Sequence, residues 1–194
     1  TLNKTAANFD TKNVGVGKTV TVEGLSLGGT DAGNYAISNA NAKATTTANI
    51  TQAALSVSGI TAANKTYDAS TNAMVSTANA KLNGLFEGDK LVVSATGVFV
   101  DKNAATEKTV NLTSTYAGAD VGNYAITDQA TTTADIAKLS GVVVTADKQS
   151  KTVGSAAPKL TFSVSGLLSE DALTGSLTRD VGEAAGLSDL TQGP

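Results

Sequence analysis

The chain has 194 residues, a formal net charge of -3, 4% aromatic residues and neither histidine nor cysteine. The small charge, without a basic patch, argues against nucleic-acid binding, and no apolar run approaches the roughly 18 residues of a membrane span. Without His or Cys the familiar nucleophile–base pairs cannot be built, so we expect no enzyme, and a disulfide scaffold is excluded.

Short strand patterns separated by glycine-rich turns follow one another along the chain. Residues 19–22 and 55–58 alternate polar and apolar side chains, as half-buried strands do. Two strand-like runs at 90–100 surround a bend at 96–97, the three valines at 142–144 are predicted to be fully buried, and 160–164 alternates again. We therefore predict an all-β chain of tandem Ig-like β-sandwich repeats in an elongated array.

The same blocks of sequence occur twice. FDTKNVGVGKTVTV from Phe9 is matched by FVDKNAATEKTVNL from Phe99, an offset of 90 residues (99 minus 9). DAGNYAI at 31–37 is matched by DVGNYAI at 120–126, and TTTANI at 45–50 by TTTADI at 131–136. Similarity at a nearly fixed period indicates tandem structural repeats.

A third segment is related to the second but differs from it. GLFEGD at 84–89 is matched by GLLSED at 166–171, and KTYD at 65–68 by KTVG at 151–154. We divide the chain into the end of a first repeat (1–54), a complete second repeat (55–138) and the start of a different repeat (139–194). Because the chain begins and ends inside repeats, we expect it to be a piece of a longer protein.

These blocks are similar to two known modules. NKTYDAS at 64–70, then GLFEGD, FVDKN, GNYAI and TTTADI, resembles the YDG repeat, with Ala69 where the name of that repeat has glycine. The stretch VTADKQSKTVGSAAPKLTFSVSGLLSEDALTGSLTRDVGEAAG at 144–186 resembles the MBG repeat, with Val153 where that repeat often has tyrosine. Both modules occur in large bacterial surface adhesins of the filamentous haemagglutinin type, which are exported by two-partner secretion.

The resemblance implies a secreted protein at the bacterial cell surface or in the extracellular matrix. It implies a stalk of repeats in an adhesin that supports cell–cell or cell–matrix attachment and biofilm formation. Its expected partners are extracellular polysaccharide or a neighbouring cell surface, and the outer-membrane secretion pore for the parent protein. Nucleic-acid binding and membrane insertion are not expected. The resemblance implies no catalytic residues, and apart from the calcium considered below no cofactor is expected.

A glycan-binding or exopolysaccharide-binding module is the alternative function. It would use loops at one tip of the second repeat, whose candidate residues are Glu87, Asp89, Asp120, Asn123 and Tyr124. The Gly-Asn-Tyr triplets that end at Tyr35 and Tyr124 allow two interpretations. The ring stacks on a sugar, or it plugs the sandwich with its hydroxyl bonded to backbone.

Two further chemistries have candidate residues. Calcium prefers clusters of carboxylates and carbonyls, and acidic loop residues that would supply them are Asp31, Glu87, Asp89, Asp120 and Asp171. Four Asn-X-Thr sequons make Asn3, Asn49, Asn64 and Asn111 candidate glycan acceptors.

Overall fold

A computed structural model describes residues 1–168, 170–179 and 190–192. Over these residues the regular structure is strands and three short 3-10 turns, at Ala32–Asn34, Ala40–Ala42 and Val121–Asn123. The all-β prediction is thus confirmed. Within the described ranges, no helix is long and apolar enough to cross a bilayer.

Most of the strands are short, and ten of them lie within residues 1–76. They are β1 (Leu2–Asn3), β2 (Ala6–Phe9), β3 (Gly15–Glu23), β4 (Ser26–Leu27), β5 (Ala44–Ile50), β6 (Ala53–Ser58), β7 (Thr61–Ala62), β8 (Lys65–Thr66), β9 (Asn72–Ala73) and β10 (Val75–Ser76). The others are β11 (Lys81–Asn83), β12 (Val92–Phe99), β13 (Ala105–Ala117), β14 (Tyr124–Thr127), β15 (Thr131–Ala137), β16 (Val143–Ala146), β17 (Phe162–Ser165), β18 (Leu177–Arg179) and β19 (Leu190–Gln192).

The larger sheets have the strand orders β2-β3-β5, β11-β6-β14 and β8-β15-β13-β12-β9. Two-stranded sheets join β1 with β4, β7 with β10, β16 with β17, and β18 with β19. Most of the defined pairings are antiparallel, but two are parallel. β14 lies parallel to β6, with Tyr124 opposite Ala53, and β15 lies parallel to β8, with Ile136 opposite Lys65.

The chain folds as two compact units. Unit 1 comprises residues 1–61, 75–96 and 112–132, and unit 2 comprises 62–74, 97–111 and 133–194. Unit 1 therefore contains the first repeat with part of the second, and unit 2 contains the rest of the second repeat with the third segment. The contacts that join successive repeats accordingly lie inside the compact units.

The core of unit 1 is apolar and is built mainly from the second repeat. Its buried members are Leu55, Val57, Ile60, Leu91, Val93 and Tyr124. On β6, Leu55 and Val57 are buried while Ser56 is exposed, as the predicted period of two requires. Residues of β12, β13 and β14 pack against this cluster, so side chains from two sheets meet there, as in an Ig-like sandwich.

Unit 2 has a smaller buried set, namely Phe99, Val110, Ala134 and Ile136. Within residues 90–100 the structure has the single strand β12 (Val92–Phe99) instead of the two predicted strand-like runs around a bend. The prediction of buried valines at 142–144 is wrong, because Val142, Val143 and Val144 are 39%, 54% and 51% exposed. Val143 and Val144 lie on the two-stranded sheet β16-β17, where antiparallel pairing satisfies the backbone without covering the side chains.

Candidate functional site

Two loops of the second repeat meet beside the first residues of β6 and β14 in unit 1. The Lys90 N–H donates to Asp120 Oδ2 at 2.8 Å, and the Asp120 N–H donates to the Lys90 carbonyl at 3.4 Å. Gly118, at φ +134°, permits this approach, because a Cβ at that position would lie 2.1 Å from the Lys90 oxygen. Asp120 is 8% exposed, so the two loops are held by a nearly buried carboxylate.

Tyr124 fills the space between these loops. Its side chain is buried at 3% exposure. Its hydroxyl donates to Asp89 Oδ2 at 2.5 Å and accepts the Phe86 N–H at 3.1 Å. Burial and the neighbouring Asp89 carboxylate raise the pKa of the Tyr124 hydroxyl. This is the plug geometry, in which almost none of the ring is exposed for stacking on a sugar.

Lys12 of the first repeat places its ammonium between two carboxylates of the second repeat. Lys12 Nζ contacts Asp89 Oδ1 and lies 2.9 Å from Asp120 Oδ1. The two carboxylate side chains are 9% and 10% exposed, whereas the Lys12 side chain is 61% exposed. Hydrogen bonds to Asp89 and then Asp120 raise the pKa of Lys12, and the Lys12 ammonium lowers the pKa of both carboxyls.

Asparagine side chains extend this contact between the first and second repeats. Asn123 Oδ1 accepts the Val14 N–H at 3.0 Å, and Asn123 Nδ2 donates to Asn13 Oδ1 at 3.1 Å. Of the predicted tip-loop residues, Asp89, Asp120, Asn123 and Tyr124 are thus brought together. Their partners in the structure are each other, the Lys12–Val14 segment, and the backbone N–H groups of Phe86 and Lys90.

Unit 2 contains a second cluster that also consists of a lysine, an aspartate and a tyrosine. Lys102 Nζ lies 3.0 Å from Asp171 Oδ1, and the Tyr67 hydroxyl donates to the same oxygen at 2.8 Å. The Lys102 ammonium also lies 5.7 Å from the centroid of the Tyr67 ring, within the range of a cation–π contact. Lys102 and then Tyr67 lower the pKa of the Asp171 carboxyl.

An open groove lies beside each cluster. The groove in unit 1 has a volume of about 450 Å³ and is lined by Lys12, Phe86, Glu87, Asp89 and Tyr124, among others. The groove in unit 2 has a volume of about 310 Å³, and its lining includes Tyr67, Leu139, Leu167, Leu168 and Asp171. Phe86 and Leu168 occupy matching places in the two GL segments, as do Asp89 and Asp171, so corresponding positions line both grooves.

The calcium candidates do not assemble into a carboxylate cage. Among the described residues, no group of three or more Asp or Glu side chains is placed to hold a metal ion. Asp89 and Asp120 do converge, but the positive charge between them is the Lys12 ammonium. Asp171 pairs with Lys102, and Asp31 precedes the first 3-10 turn, for which it provides no side-chain cap.

The four candidate glycan acceptors are all exposed. Asn49 Oδ1 accepts the Gly17 N–H at 2.9 Å, and Asn64 Oδ1 accepts the Asp135 N–H at 2.8 Å. Asn3 lies on β1 and Asn111 on β13. Two of the four side chains therefore hold turns or neighbouring strands in this structure.

Two family models together match nearly the whole chain. The YDG domain model matches residues 1–47 and 51–134. The chain belongs to the YDG domain family. Residues 142–193 match the MBG domain model of the YGX type. Neither the curated proteins nor the solved structures contain a match to the chain.

The triplet that corresponds to the YDG name now has a structural role at each position. Tyr67 binds Asp171. Asp68 accepts hydrogen bonds from Lys65 Nζ and from the backbone and side chain of Ser70, and these lower its pKa to about 2, with Lys65 the largest cause. Ala69 has φ +62°, a left-handed conformation that glycine adopts without strain. The glycine in the name of the YDG repeat fits that backbone.

The sequence-based search missed Lys12, Lys102 and Tyr67 as members of these clusters. A signal for the lysines was present, because a Lys-Asn dipeptide occurs in both copies of the Phe9/Phe99 block. No signal paired these lysines with Asp89 and Asp171, since the lysine and the aspartate of each pair are 77 and 69 residues apart.

Proposed function

We propose that this chain is a non-enzymatic repeat segment of a large secreted bacterial surface adhesin. The YDG and MBG domains make it a repeat or binding module. In the proposed role, the segment spaces the adhesive parts of the parent protein and so supports cell–cell or cell–matrix attachment and biofilm formation. The parent protein would be exported through an outer-membrane secretion pore and would act at the cell surface or in the extracellular matrix.

One observation favours the spacer over the binder. Four of the five candidate tip-loop side chains are occupied by contacts to the preceding repeat and to each other, namely Asp89, Asp120, Asn123 and Tyr124. A side chain that holds neighbouring repeats together supports the continuity of an array. Stability of such an array is approximately a sum over repeats and their interfaces, which suits a segment that acts through length.

Glycan or exopolysaccharide binding remains the second candidate, because the groove beside Lys12 is open and acidic. Glu87 lines it and forms no salt bridge within the part of the chain that the structure describes. A carboxylate of this kind accepts hydrogen bonds from sugar hydroxyls.

The first experiment measures binding of the purified chain to bacterial exopolysaccharides and to a glycan array, after circular dichroism has established cooperative unfolding. The spacer proposal expects no saturable binding. Saturable binding that one sugar competes away, and that Glu87→Ala removes without changing the unfolding transition, would replace it by the binding function. Asp31→Ala, on an exposed turn of the first repeat, is the matched control.

A second experiment tests the adhesive context in cells that carry the parent protein. The segment is replaced by an equal number of unrelated Ig-like repeats, and cell aggregation is measured. A spacer tolerates this exchange, whereas loss of aggregation at unchanged surface display contradicts the proposal.

A further inference from the structure

The two Lys–Asp contacts join different pairs of modules, yet they use the same sequence positions. Lys12 and Lys102 are both the lysine of a Lys-Asn dipeptide, three residues after Phe9 and Phe99. Asp89 and Asp171 both end a Gly-Leu-X-X-X-Asp segment, GLFEGD and GLLSED. The first contact joins YDG to YDG, and the second joins YDG to MBG.

We propose that this lysine is the coupling residue of the YDG repeat, and that its partner is the Gly-Leu-X-X-X-Asp aspartate of whichever repeat follows it. The surface around the lysine is thus a docking face for the next module of the same chain, of either family. This inference is independent of where the protein acts, because it concerns only how repeats are joined.

The surroundings of the aspartate explain why it serves as the acceptor. In both clusters a tyrosine hydroxyl donates to the same carboxylate that the lysine contacts, from Tyr124 in one and Tyr67 in the other. The Asp89 side chain is only 9% exposed and that of Asp171 is 23% exposed. A carboxylate oriented by a tyrosine and shielded from water makes a stronger and more specific ion pair than one free at the surface.

The tyrosine comes from a different side of the junction in each of the two contacts, so only the lysine and the aspartate are common to both. Tyr124 belongs to the following repeat and lies with Asp89, whereas Tyr67 belongs to the preceding repeat and lies with Lys102. The lysine and the aspartate keep their roles in both. The specificity of the docking face therefore lies in that pair, and the tyrosine is an orienting group that either side supplies.

Spin labels across each junction test the proposal on the full chain. Because the chain has no cysteine, Cys pairs at exposed positions label cleanly. Thr46 with Ala78 spans the first junction, and Thr106 with Thr145 spans the second. Lys12→Met is expected to broaden the first distance distribution, and Lys102→Met the second. Lys43→Met, which removes a lysine paired at 2.6 Å with Glu23 inside one repeat, is expected to change neither.

Charge exchange supplies the second variant. Lys102→Asp and Asp171→Lys are each expected to broaden the distribution across the second junction, and the double variant is expected to narrow it again. This pattern stays informative if Lys102→Met fails to fold, because the rescue is read on the folded double variant. Distributions as narrow as the parent in both Met variants, or a double variant as broad as its single parents, would overturn the proposal.

Discussion

The first and second YDG repeats carry the same motifs, but the side chains of those motifs differ greatly in burial. Phe9 is 42% exposed and its match Phe99 is 2% exposed, while Tyr35 is 72% exposed and its match Tyr124 is 3% exposed. The backbone elements around them correspond, since each tyrosine follows a 3-10 turn, at Ala32–Asn34 and Val121–Asn123. Identical motifs therefore fix the local backbone without fixing the environment.

The difference in burial arises from residues 64–93 of the second repeat, to which no part of the first repeat in this sequence corresponds. Within unit 2, Lys65 Nζ lies 5.4 Å from the ring centroid of Phe99, and the Phe99 N–H donates to the Thr71 carbonyl. Within unit 1, the same stretch supplies Phe86 and Asp89 to Tyr124. The repeated motifs have matching positions in both repeats, and residues 64–93 cover them only in the second.

The largest test of this comparison truncates the two phenylalanines. Phe99→Ala is expected to lower the free energy of unfolding by about 3–5 kcal/mol, because it leaves a cavity in a packed site. Phe9→Ala, on a partly exposed ring, is expected to cost less than about 1 kcal/mol. Urea unfolding followed by circular dichroism measures both free energies of unfolding. Equal decreases for the two variants would show that the difference in exposure between Phe9 and Phe99 does not affect stability.

The next test removes the hydroxyl group of Tyr124 and of its match Tyr35. Tyr124→Phe is expected to lower the unfolding midpoint, because Asp89 and the Phe86 N–H lose a partner in a site that water reaches poorly. Tyr35→Phe is expected to leave the midpoint unchanged. The loss for Tyr124→Phe should be smaller than that for Phe99→Ala, since the ring stays in place. A midpoint shifted equally by both variants would contradict the plug assignment.

A backbone test uses a position that differs between the repeats. Gly17 has φ +65° and its match Glu107 has φ +49°, and their N–H groups donate to Asn49 and Asp135 respectively. Glu107→Gly is expected to raise the free energy of unfolding by about 1 kcal/mol, and Gly17→Ala to lower it similarly, because left-handed backbone strains residues with a Cβ. A Cβ at Gly17 meets no atom within 4 Å, so the effect is conformational. A destabilised Glu107→Gly chain in urea unfolding would refute this.

The smallest expected effect is one that the two repeats share. Lys18 pairs with Asp10 at 3.0 Å and Lys108 with Asp101 at 2.6 Å, and each lysine lowers the pKa of its partner carboxyl from the ordinary value of 3.8. A depressed folded-state pKa gives stability that is present above pH 3.8 and lost as the pH falls through the folded-state value.

Carbon-detected NMR titration of both carboxyls measures this shared effect. Both inflections are expected below 3.8, and Lys18→Met and Lys108→Met are expected to move them back toward that value. The effect on stability is small, because both carboxylate side chains are 48% exposed and are therefore screened by water. An inflection at pH 3.8 for Asp10 or Asp101 in the unsubstituted chain would show that its lysine does not stabilise that carboxylate.

Much of the strand pattern was predictable from sequence, because burial on one face of a sheet imposes a period of two, as Leu55 and Val57 on β6 show. The valines at 142–144 were predicted wrongly, since a run of β-branched residues forms a strand whether or not anything covers it. The repeats identified Asp89 and Tyr124 as candidates. They did not identify Lys12 as their neighbour, because pairing across 77 residues depends on how the repeats dock.

The parallel pairing of β6 with β14 has a consequence for a chain under tension. β6 opens the second repeat and β14 lies near its end, with Ala53 to Ser56 opposite Tyr124 to Thr127. Pulling the preceding residues one way and the following residues the other slides these two strands along each other. The hydrogen bonds between them are then loaded together in shear instead of opening one after another like a zipper. The second repeat is thus built to resist being drawn out lengthwise far better than being peeled from one side.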